Sequence, residues 1–329
     1  MKIALDAMGG DHAPLEIVKG AVLAAEQYDK IEKIFLVGNK DILEKIPECA
    51  HDKLEIVHAS EVIEMDEHPA QAYRRKKDAS ITVATALVKE GKADAVVSAG
   101  STGAQLAAAM FGLGRIKGVK RPAIASFVPT LQGGKLLVDA GANTNVDVTN
   151  LVQFAQMGSV YMQCMQNIAS PKVGLINNGA EETKGTELTQ AAYQELKVAP
   201  GINFYGNIEG RDITAGICDV MVCDGFTGNV ILKTMEGMGK GIVTMLKEEL
   251  MSTARTKMGA VLAKPALANL KKRMDYSDYG GAPLLGVNGV SIVCHGSSNA
   301  KAVSNGIKAA MVGAESGFVQ KITDLMPQA

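Results

Sequence analysis

The sequence contains no tryptophan, and aromatic residues make up only 4% of its 329 residues. Clefts that stack sugars or single-stranded nucleic acid depend on exposed aromatic rings, so this composition argues against both kinds of site. A basic field is also missing, because 34 lysines and arginines stand against 35 aspartates and glutamates. With a formal net charge of −1, the chain is not expected to bind nucleic acid.

Cysteine and long apolar runs are scarce as well. The five cysteines form no CxxC pair, which disfavours a disulfide framework or a metal site and fits a reducing compartment. The longest uncharged stretch, residues 148–171, carries six amide side chains that would be costly in hydrocarbon. At the N-terminus, Asp6, Gly9, Gly10 and Asp11 interrupt the apolar run, so we do not interpret it as a signal peptide. These features predict a cytoplasmic protein.

Short β-branched runs alternate with segments of helical periodicity, which is typical of an α/β protein with a doubly wound, mostly parallel sheet. An antiparallel hairpin is predicted where the runs 122–129 and 134–141 are joined by a short glycine-containing turn. No linker or internal repeat divides the chain, so we expect one domain over residues 1–329, with a bilobal shape left open. The predicted helices are 15–28, 79–90 and 102–113, and the predicted parallel strands are 2–7, 33–38, 54–60, 94–100, 172–179, 219–225 and 290–296.

Residues 238–275 do not follow this alternation. The spacing of Met238 and Ile242 indicates one helix, and a second is predicted over 266–274, just after Pro265. The pattern fits a protruding helical hairpin with an apolar, basic tip, and it fits a hairpin buried in the core equally well. The predicted tip consists of Met258, Val261 and Leu262.

Glycine is unusually frequent, with 35 residues, and it concentrates in turns that follow the predicted strands. Glycine allows positive φ and close backbone approach, so several amide N–H groups can converge on an anion at the carboxyl ends of the strands. Helix N-termini add their dipoles to such a site. We therefore predict a phosphate-type ligand. The candidate binding residues are Gly9, Gly10, Asp11, Ser101, Thr102, Gly103, Asn143, Asn178, Gly225, Thr227, Gly228, Ser297, Ser298 and Asn299.

Three further residues are candidates for chemistry, and each has an ordinary structural alternative. Lys184 lies in a glycine-flanked polar loop after a strand, where its ammonium either neutralises phosphate or is simply solvated. Asn229 offers amide donors after another strand, or acts as a helix N-cap. His295 follows a strand and either faces the ligand or fixes its loop. The standard nucleotide-binding and metalloprotease motifs are absent, so no cofactor and no metal are predicted.

Nine blocks of the sequence together resemble the phosphate acyltransferase family of bacterial phospholipid synthesis. They occur in order and cover nearly the whole chain, and no departure within them puts the activity in doubt. The blocks are DAMGGDHAP (6–14), SAGSTGA (98–104), RPA (121–123), LLVDAGAN (136–143), NNGAEETKGTEL (177–188), GNIEGRD (206–212), DGFTGNVILKTMEG (224–237), YGGAPLLGVNG (279–289) and HGSSNAKA (295–302).

This resemblance implies a specific reaction, in which long-chain acyl-acyl carrier protein and inorganic phosphate give acyl phosphate and free carrier protein. It implies a homodimeric, Rossmann-like fold akin to phosphotransacetylases and isopropylmalate-type dehydrogenases, with no nicotinamide and no metal. The catalytic lysine and asparagine of the family fall on Lys184 and Asn229, and His295 is a further candidate donor or acid. Family members are cytoplasmic yet associate peripherally with the inner face of the plasma membrane, which implies the helical hairpin as the contact. The product would pass to a membrane acyl phosphate:glycerol-3-phosphate acyltransferase.

Acyl carrier protein is acidic, so its docking site should be basic. Two basic runs are candidates, residues 74–77 and residues 271–273 (Lys271, Lys272 and Arg273), although such a run is often only a solvated face. Three other functions stay open: a phosphotransacetylase-like enzyme that uses coenzyme A thioesters, an isopropylmalate-type oxidoreductase, and a non-enzymatic scaffold at the membrane surface.

Overall fold

The computed structural model describes residues 1–274 and 280–326, and for 271–274 it describes the backbone alone. Within these ranges eleven strands form one continuous sheet in the order β3–β2–β1–β4–β11–β10–β5–β6–β9–β7–β8. The strands are β1 (Lys2–Asp6), β2 (Lys33–Gly38), β3 (Leu54–His58), β4 (Ala95–Ser98), β5 (Ala123–Thr130), β6 (Gly133–Val138), β7 (Lys172–Ile176), β8 (Asn203–Ile208), β9 (Val220–Val222), β10 (Ala282–Leu285) and β11 (Val290–Val293).

Helices connect the strands and cover both faces of the sheet, so central strands are buried on both sides. In β1, for example, Ile3, Ala4 and Leu5 are at most 1% exposed, which is why the strand is apolar at successive positions rather than alternating. The helices are α1 (Leu15–Gln27), α2 (Lys40–Leu43), α3 (Pro69–Arg75), α4 (Ser80–Lys89), α5 (Thr102–Ala108), α6 (Val148–Gln166), α7 (Glu187–Val198), α8 (Gly210–Ala215), α9 (Gly225–Leu250), α10 (Ala254–Met274), α11 (Ala300–Ser316) and α12 (Phe318–Leu325).

The doubly wound α/β fold is confirmed, and each of the seven predicted parallel runs contains a strand. The predicted hairpin is also present as β5 and β6, which pair antiparallel with Ala125 opposite Val138. Two strands were not predicted. One is β8, which contains Gly206, and the other is β10, a short strand that contains Pro283. Glycine and proline are depleted in strands, so both segments resemble turns in the sequence.

The sheet has two halves whose parallel strands run in opposite directions. Strands β3, β2, β1, β4 and β11 are mutually parallel, and so are β6, β9, β7 and β8. The antiparallel strands β10 and β5 separate the two groups and reverse the direction. The glycine-rich turns therefore fall into two sets, one for each half, rather than one set at a single edge.

The uncharged stretch 148–171 contains α6, a helix with both ends clearly marked. Asp147 and Asn150 form a reciprocal capping box at its start, and Asn167 ends it in the left-handed conformation. Phe154, at the centre of the helix, is fully buried. Among the described residues no helix is long and apolar enough to cross a membrane.

Helices α9 and α10 form a pair joined by residues 251–253, and most of their apolar side chains face outward. Met238 is 58% and Ile242 45% exposed, which does not fit the alternative of a hairpin buried in the core of one chain. The second helix begins earlier than predicted, because the Thr253 hydroxyl caps it by accepting from the Thr256 N–H at 3.1 Å.

One sequence prediction for this helix pair is wrong, and two others concern residues outside the described ranges. Pro265 is inside α10 rather than at its start, since the preceding alanines, lysines and leucine are strong helix formers. The predicted tip residues therefore lie on the first turns of α10 rather than in a connection. The predicted end of the hairpin at Asp275, and the side chains of the basic run 271–273, lie outside the described residues.

Candidate active site

In the first half of the sheet, the turns after β1, β4 and β11 lie against one another. The Asp11 N–H donates to the Gly296 carbonyl at 2.8 Å, and Gly9 is so close to Gly100 that a Cβ on Gly9 would lie 2.8 Å from the Gly100 nitrogen. Asp6, at the end of β1, is buried and accepts from the Ser98 hydroxyl at 2.7 Å. Burial raises the pKa of Asp6. This carboxyl thus ties together two of the three turns.

Several candidate phosphate ligands in this half have structural partners. Ser101 caps α5 through the Ala104 N–H at 3.4 Å, and Asn299 caps α11 through the Ala302 N–H at 3.0 Å. The Ser298 hydroxyl donates to the His295 carbonyl at 2.6 Å. Thr102 and Gly103 are in the first turn of α5. The side-chain oxygens of Ser101 and Asn299 thus organise the helix starts, and the backbone amides there remain the candidate anion donors.

In the second half, buried Asp139 organises the turn after β6. Its carboxylate accepts from the N–H groups of Ile124, Gly141, Ala142 and Asn143 and from the Asn143 side chain, at 2.7 to 3.1 Å. Burial raises the pKa of Asp139, and these donors act in the opposite direction. The Asn143 amide also donates to the Pro122 carbonyl at 2.7 Å. Asn143 is thus a structural residue of the turn, and sequence reasoning overlooked Asp139.

Helix α9 starts directly against this turn. The Gly225 N–H donates to the Asn143 carbonyl at 2.7 Å, and Asp224 caps the helix through the Thr227 N–H at 2.9 Å. The Thr227 hydroxyl donates back to Asp224 at 2.7 Å. The N-cap alternative for Asn229 is therefore wrong. Asn229 lies one turn into α9, is exposed, and is 3.6 to 3.7 Å from the Cβ position of Gly141.

Lys184 lies in the loop between β7 and α7. Side-chain amides hold this loop, because Asn177 donates to the Lys184 carbonyl at 3.1 Å and Asn207 to the Glu181 carbonyl at 2.9 Å. The neighbouring candidate Asn178 donates its backbone N–H to the Asn177 side chain at 2.9 Å. The Lys184 side chain is exposed, and within the described part of the chain its ammonium has no hydrogen-bond partner. The loop is thus fixed through its backbone, while the Lys184 side chain extends into solvent.

A cavity of about 520 Å³ separates the Lys184 loop from the start of α9. Thr186, two residues after Lys184, lines one wall, and Thr227, two residues before Asn229, lines another. Both walls are helix N-termini, those of α7 and α9. The cavity combines hydroxyl groups and the N–H groups of two helix starts, which can donate to an oxyanion, with apolar residues that suit an uncharged group. The one carboxyl among its described lining residues, that of Asp224, is occupied in capping α9. Its lining residues are Thr144, Asn145, Val146, Leu151, Leu175, Ile176, Thr186, Leu188, Thr189, Cys223, Asp224, Phe226 and Thr227.

His295, in the first half, contacts helix α9 of the second half. Its Nε2 lies 3.0 Å from the ammonium of Lys233 on α9, and its Nδ1 lies 3.2 Å from the Ser297 N–H. Burial lowers the pKa of His295, and Lys233 lowers it further. Both effects favour the neutral imidazole over the imidazolium. The ring fixes its own loop and also links the first set of turns to α9.

The cysteines offer no obvious nucleophile. Burial raises the pKa of Cys218 and of Cys294 to about 12, and it raises the pKa of Cys223 well above the ordinary value. A thiol with such a pKa carries almost no thiolate at neutral pH. Cys223, although it lines the cavity, is therefore not poised to be acylated.

Solved structures show the class to which this fold belongs. A phosphotransacetylase from Streptococcus pyogenes matches with a TM-score of 0.62 and 14% sequence identity, covering 97% of this chain and 94% of that one. A 4-hydroxythreonine-4-phosphate dehydrogenase from Klebsiella pneumoniae matches with a TM-score of 0.53 and 11% identity, covering 95% and 99%. The protein is of the Rossmann-like α/β class that phosphotransacetylases and these dehydrogenases share.

Sequence comparison then gives the family. Residues 1–321 match the family described as "Fatty acid synthesis protein". A phosphate acyltransferase from Heliobacterium modesticaldum is 57% identical, over 99% of this chain and 98% of that protein. The chain belongs to the phosphate acyltransferase family, and the transferase activity that the sequence motifs implied is confirmed.

Proposed function

We propose that the protein transfers a long-chain acyl group from acyl carrier protein to inorganic phosphate, which is an early step of phosphatidic acid and phospholipid synthesis. The observation that carries the proposal is the cavity bounded by the N-termini of α7 and α9, whose lining residues Thr186 and Thr227 are two residues from Lys184 and from Asn229, respectively. It suits a reaction between an oxyanion and a carbonyl compound. Its lack of a reactive thiol fits direct transfer without an acyl-enzyme.

In this mechanism a phosphate oxygen attacks the thioester carbonyl carbon, the new C–O bond forms, and the C–S bond breaks to release the carrier thiol. Lys184 and helix N–H groups hold phosphate in position, so the reaction becomes effectively intramolecular. The Asn229 amide donates to the carbonyl oxygen as negative charge develops there. The attacking hydrogen phosphate gives up its proton and the leaving thiolate takes one up, so the free carrier thiol is released, and His295, at the edge of the other half, assists as a hydrogen-bond donor.

The test is a comparison of two acyl donors. Purified protein is supplied with palmitoyl-acyl carrier protein or palmitoyl-coenzyme A, and the loss of thioester is followed with and without phosphate. We expect phosphate-dependent loss from the carrier protein at a much higher kcat/KM. Faster turnover of the coenzyme A thioester would favour the phosphotransacetylase-like alternative. No turnover of either would overturn the proposal and favour the scaffold reading.

We propose that acyl carrier protein docks on the basic run 74–77 at the end of α3. Lys76 is occupied, since its ammonium bonds to Glu67 and to the Val62 carbonyl. Arg74 lies over the Phe111 ring, 5.7 Å from its centroid, and Lys77 lies over Tyr73 at 5.1 Å. Two outward cations backed by aromatic rings form a surface suited to an acidic partner.

We propose that the molecule acts as a homodimer that associates peripherally with the inner face of the plasma membrane, where its product passes to a membrane acyl phosphate:glycerol-3-phosphate acyltransferase. Support comes from the apolar residues near the start of α10. Met258 and Val261 are each 72% exposed and Leu262 is 84% exposed. Large apolar side chains with this degree of solvent exposure are typical of a protein–protein interface or of a surface that contacts lipid.

Leu262→Glu is expected to weaken binding to anionic liposomes without reducing activity in solution, because it places a charge where an apolar side chain would enter lipid. Sedimentation with vesicles of phosphatidylglycerol and phosphatidylethanolamine measures the bound fraction, which should fall several-fold. Leu131→Glu is the matched control, since Leu131 is also exposed, at 77%, but lies in the β5–β6 turn. Equal sedimentation of both variants and wild type would exclude this contact.

A further inference from the structure

Lys233 lies near the candidate site, although the sequence analysis did not select it. It lies four residues after Asn229 on α9, and residues four apart on a helix share a face with their Cβ atoms about 5–6 Å apart. A ligand that reaches the Asn229 amide is thus within the span of the Lys233 side chain. The Lys233 side chain is 49% exposed, so its ammonium is open to a ligand from solvent.

The ammonium of Lys233 is held on two sides. The Glu236 carboxylate lies 2.9 Å away, and its side chain is only 10% exposed, so this partner has little freedom to move. On the other side is His295 Nε2, at 3.0 Å. An ion pair between side chains three residues apart on one helix adds little to stability. The arrangement is therefore better explained by what it presents to a ligand than by what it adds to the fold.

The hydrogen-bonding contacts of the His295 ring indicate an anionic ligand. Both the Ser297 N–H, at 3.2 Å, and the Ser297 hydroxyl, at 2.9 Å, contact Nδ1. Because a backbone N–H can only donate, we assign Nδ1 as the acceptor of both. A neutral ring then carries its proton on Nε2. Nε2–H and the Lys233 ammonium are thus two donors facing each other at 3.0 Å. An oxyanion is the ligand that accepts from both.

We propose that Lys233 and His295 together form the second side of the phosphate site, with phosphate accepting from the Lys233 ammonium and from His295 Nε2. The proposal rests on the proposed function, because it adds residues to the same reaction. It also gives a function to the contact between His295 and Lys233, which joins the two halves of the sheet. Phosphate bound there contacts α9 of one half and the β11 turn of the other.

Charged groups from two elements surround the imidazole. Lys233, Glu236 and Lys240 face it from α9, and Asp11 faces it from the turn after β1. Lys240 affects His295 only through its charge, whereas Lys233 is also within hydrogen-bond distance. Lys240→Met therefore removes the same charge from the same helix without removing the contact. It is the matched control for Lys233→Met.

The first experiment measures steady-state kinetics of the full-length protein with phosphate varied and acyl carrier thioester held constant. We expect Lys233→Met to raise the phosphate KM about 10- to 100-fold, the range for loss of a hydrogen bond to a charged group. Lys233→Arg should recover part of this loss, and Lys240→Met should stay within about twofold of wild type. A phosphate KM for Lys233→Met equal to that of Lys240→Met would overturn the proposal. A lowered kcat with an unchanged KM would also contradict it.

The second experiment needs no acyl donor. Ring signals of His295 are followed by NMR while inorganic phosphate is added to wild type and to each variant. We expect phosphate to shift these signals in wild type and in Lys240→Met but not in Lys233→Met, and loss of the adjacent cation to raise the His295 pKa. Signals that phosphate leaves unmoved in wild type would refute the site. Because no acyl transfer is involved, this result stands even if the proposed reaction proves wrong.

Discussion

Lys184→Ala is expected to reduce acyl phosphate formation by at least about 10²-fold, the loss typical of removing one preorganised group from a transition state. The side chain is exposed and its ammonium has no hydrogen-bond partner among the described residues, while neighbouring amides fix the loop through its backbone. The change should therefore leave the fold intact. Release of carrier thiol with saturating phosphate measures the effect.

Lys45→Ala is the matched control for this prediction. Lys45 is also exposed, but it lies between β2 and β3, away from the cavity. Thermal unfolding and oligomeric state should match wild type in both variants. Turnover of Lys184→Ala within about threefold of the control would remove Lys184 from the mechanism. A Lys184→Arg variant should recover some activity, since the charge is kept while the geometry changes.

The strands and their direction changes illustrate how far the sequence could predict the fold. Apolar runs such as 33–38 carry a strong signal because they are largely buried, and the hairpin could be predicted from the short glycine-containing turn that joins its strands. β10 carries a weak signal, because four residues with a proline look like a loop. Its presence reverses the sheet and divides the turns into two sets, which local sequence cannot reveal.

The candidate site shows a similar limit. Lys184 and Asn229 could be selected because each follows a strand within a glycine-rich loop. Asn143, Asn299 and Ser298 look equally suited to phosphate, yet their side chains bond to the protein itself. Lys233 could not be selected, because its relation to His295 joins positions 62 residues apart. Only the path of α9 between the two halves brings these residues together.

Repeated motifs could have identified the buried carboxylates. Asp6 and Asp139 each end a strand and precede an alanine in a glycine-containing turn. A charged residue at the end of an apolar strand is costly to bury unless it is well bonded. Both accept from N–H groups of their own turns, and Asp6 also accepts from Ser98 at the end of β4. The two turns are therefore built alike, one in each half of the sheet.

Gly228→Ala is expected to be the most destabilising single-methyl change in the site. A Cβ at this position would overlap the carbonyl oxygen of Asp139 and lie 2.9 Å from its carbonyl carbon. Those atoms belong to a backbone that five hydrogen bonds to the Asp139 carboxylate hold in place. The helix therefore has to move, and overpacking of this kind costs about 1–3 kcal/mol or more.

The measurement is a thermal unfolding curve combined with the transfer assay. We expect a Tm lower by roughly 2–5 °C, and loss of activity even at temperatures where the variant is folded, because Asn229 follows directly on the displaced turn. Gly241→Ala, further along α9, has no heavy atom near its Cβ position among the described residues. It should stabilise the helix by up to about 1 kcal/mol, the usual gain of alanine over glycine. If Gly228→Ala matched that control in Tm and turnover, the close contact between α9 and the Asp139 turn would not be what positions Asn229.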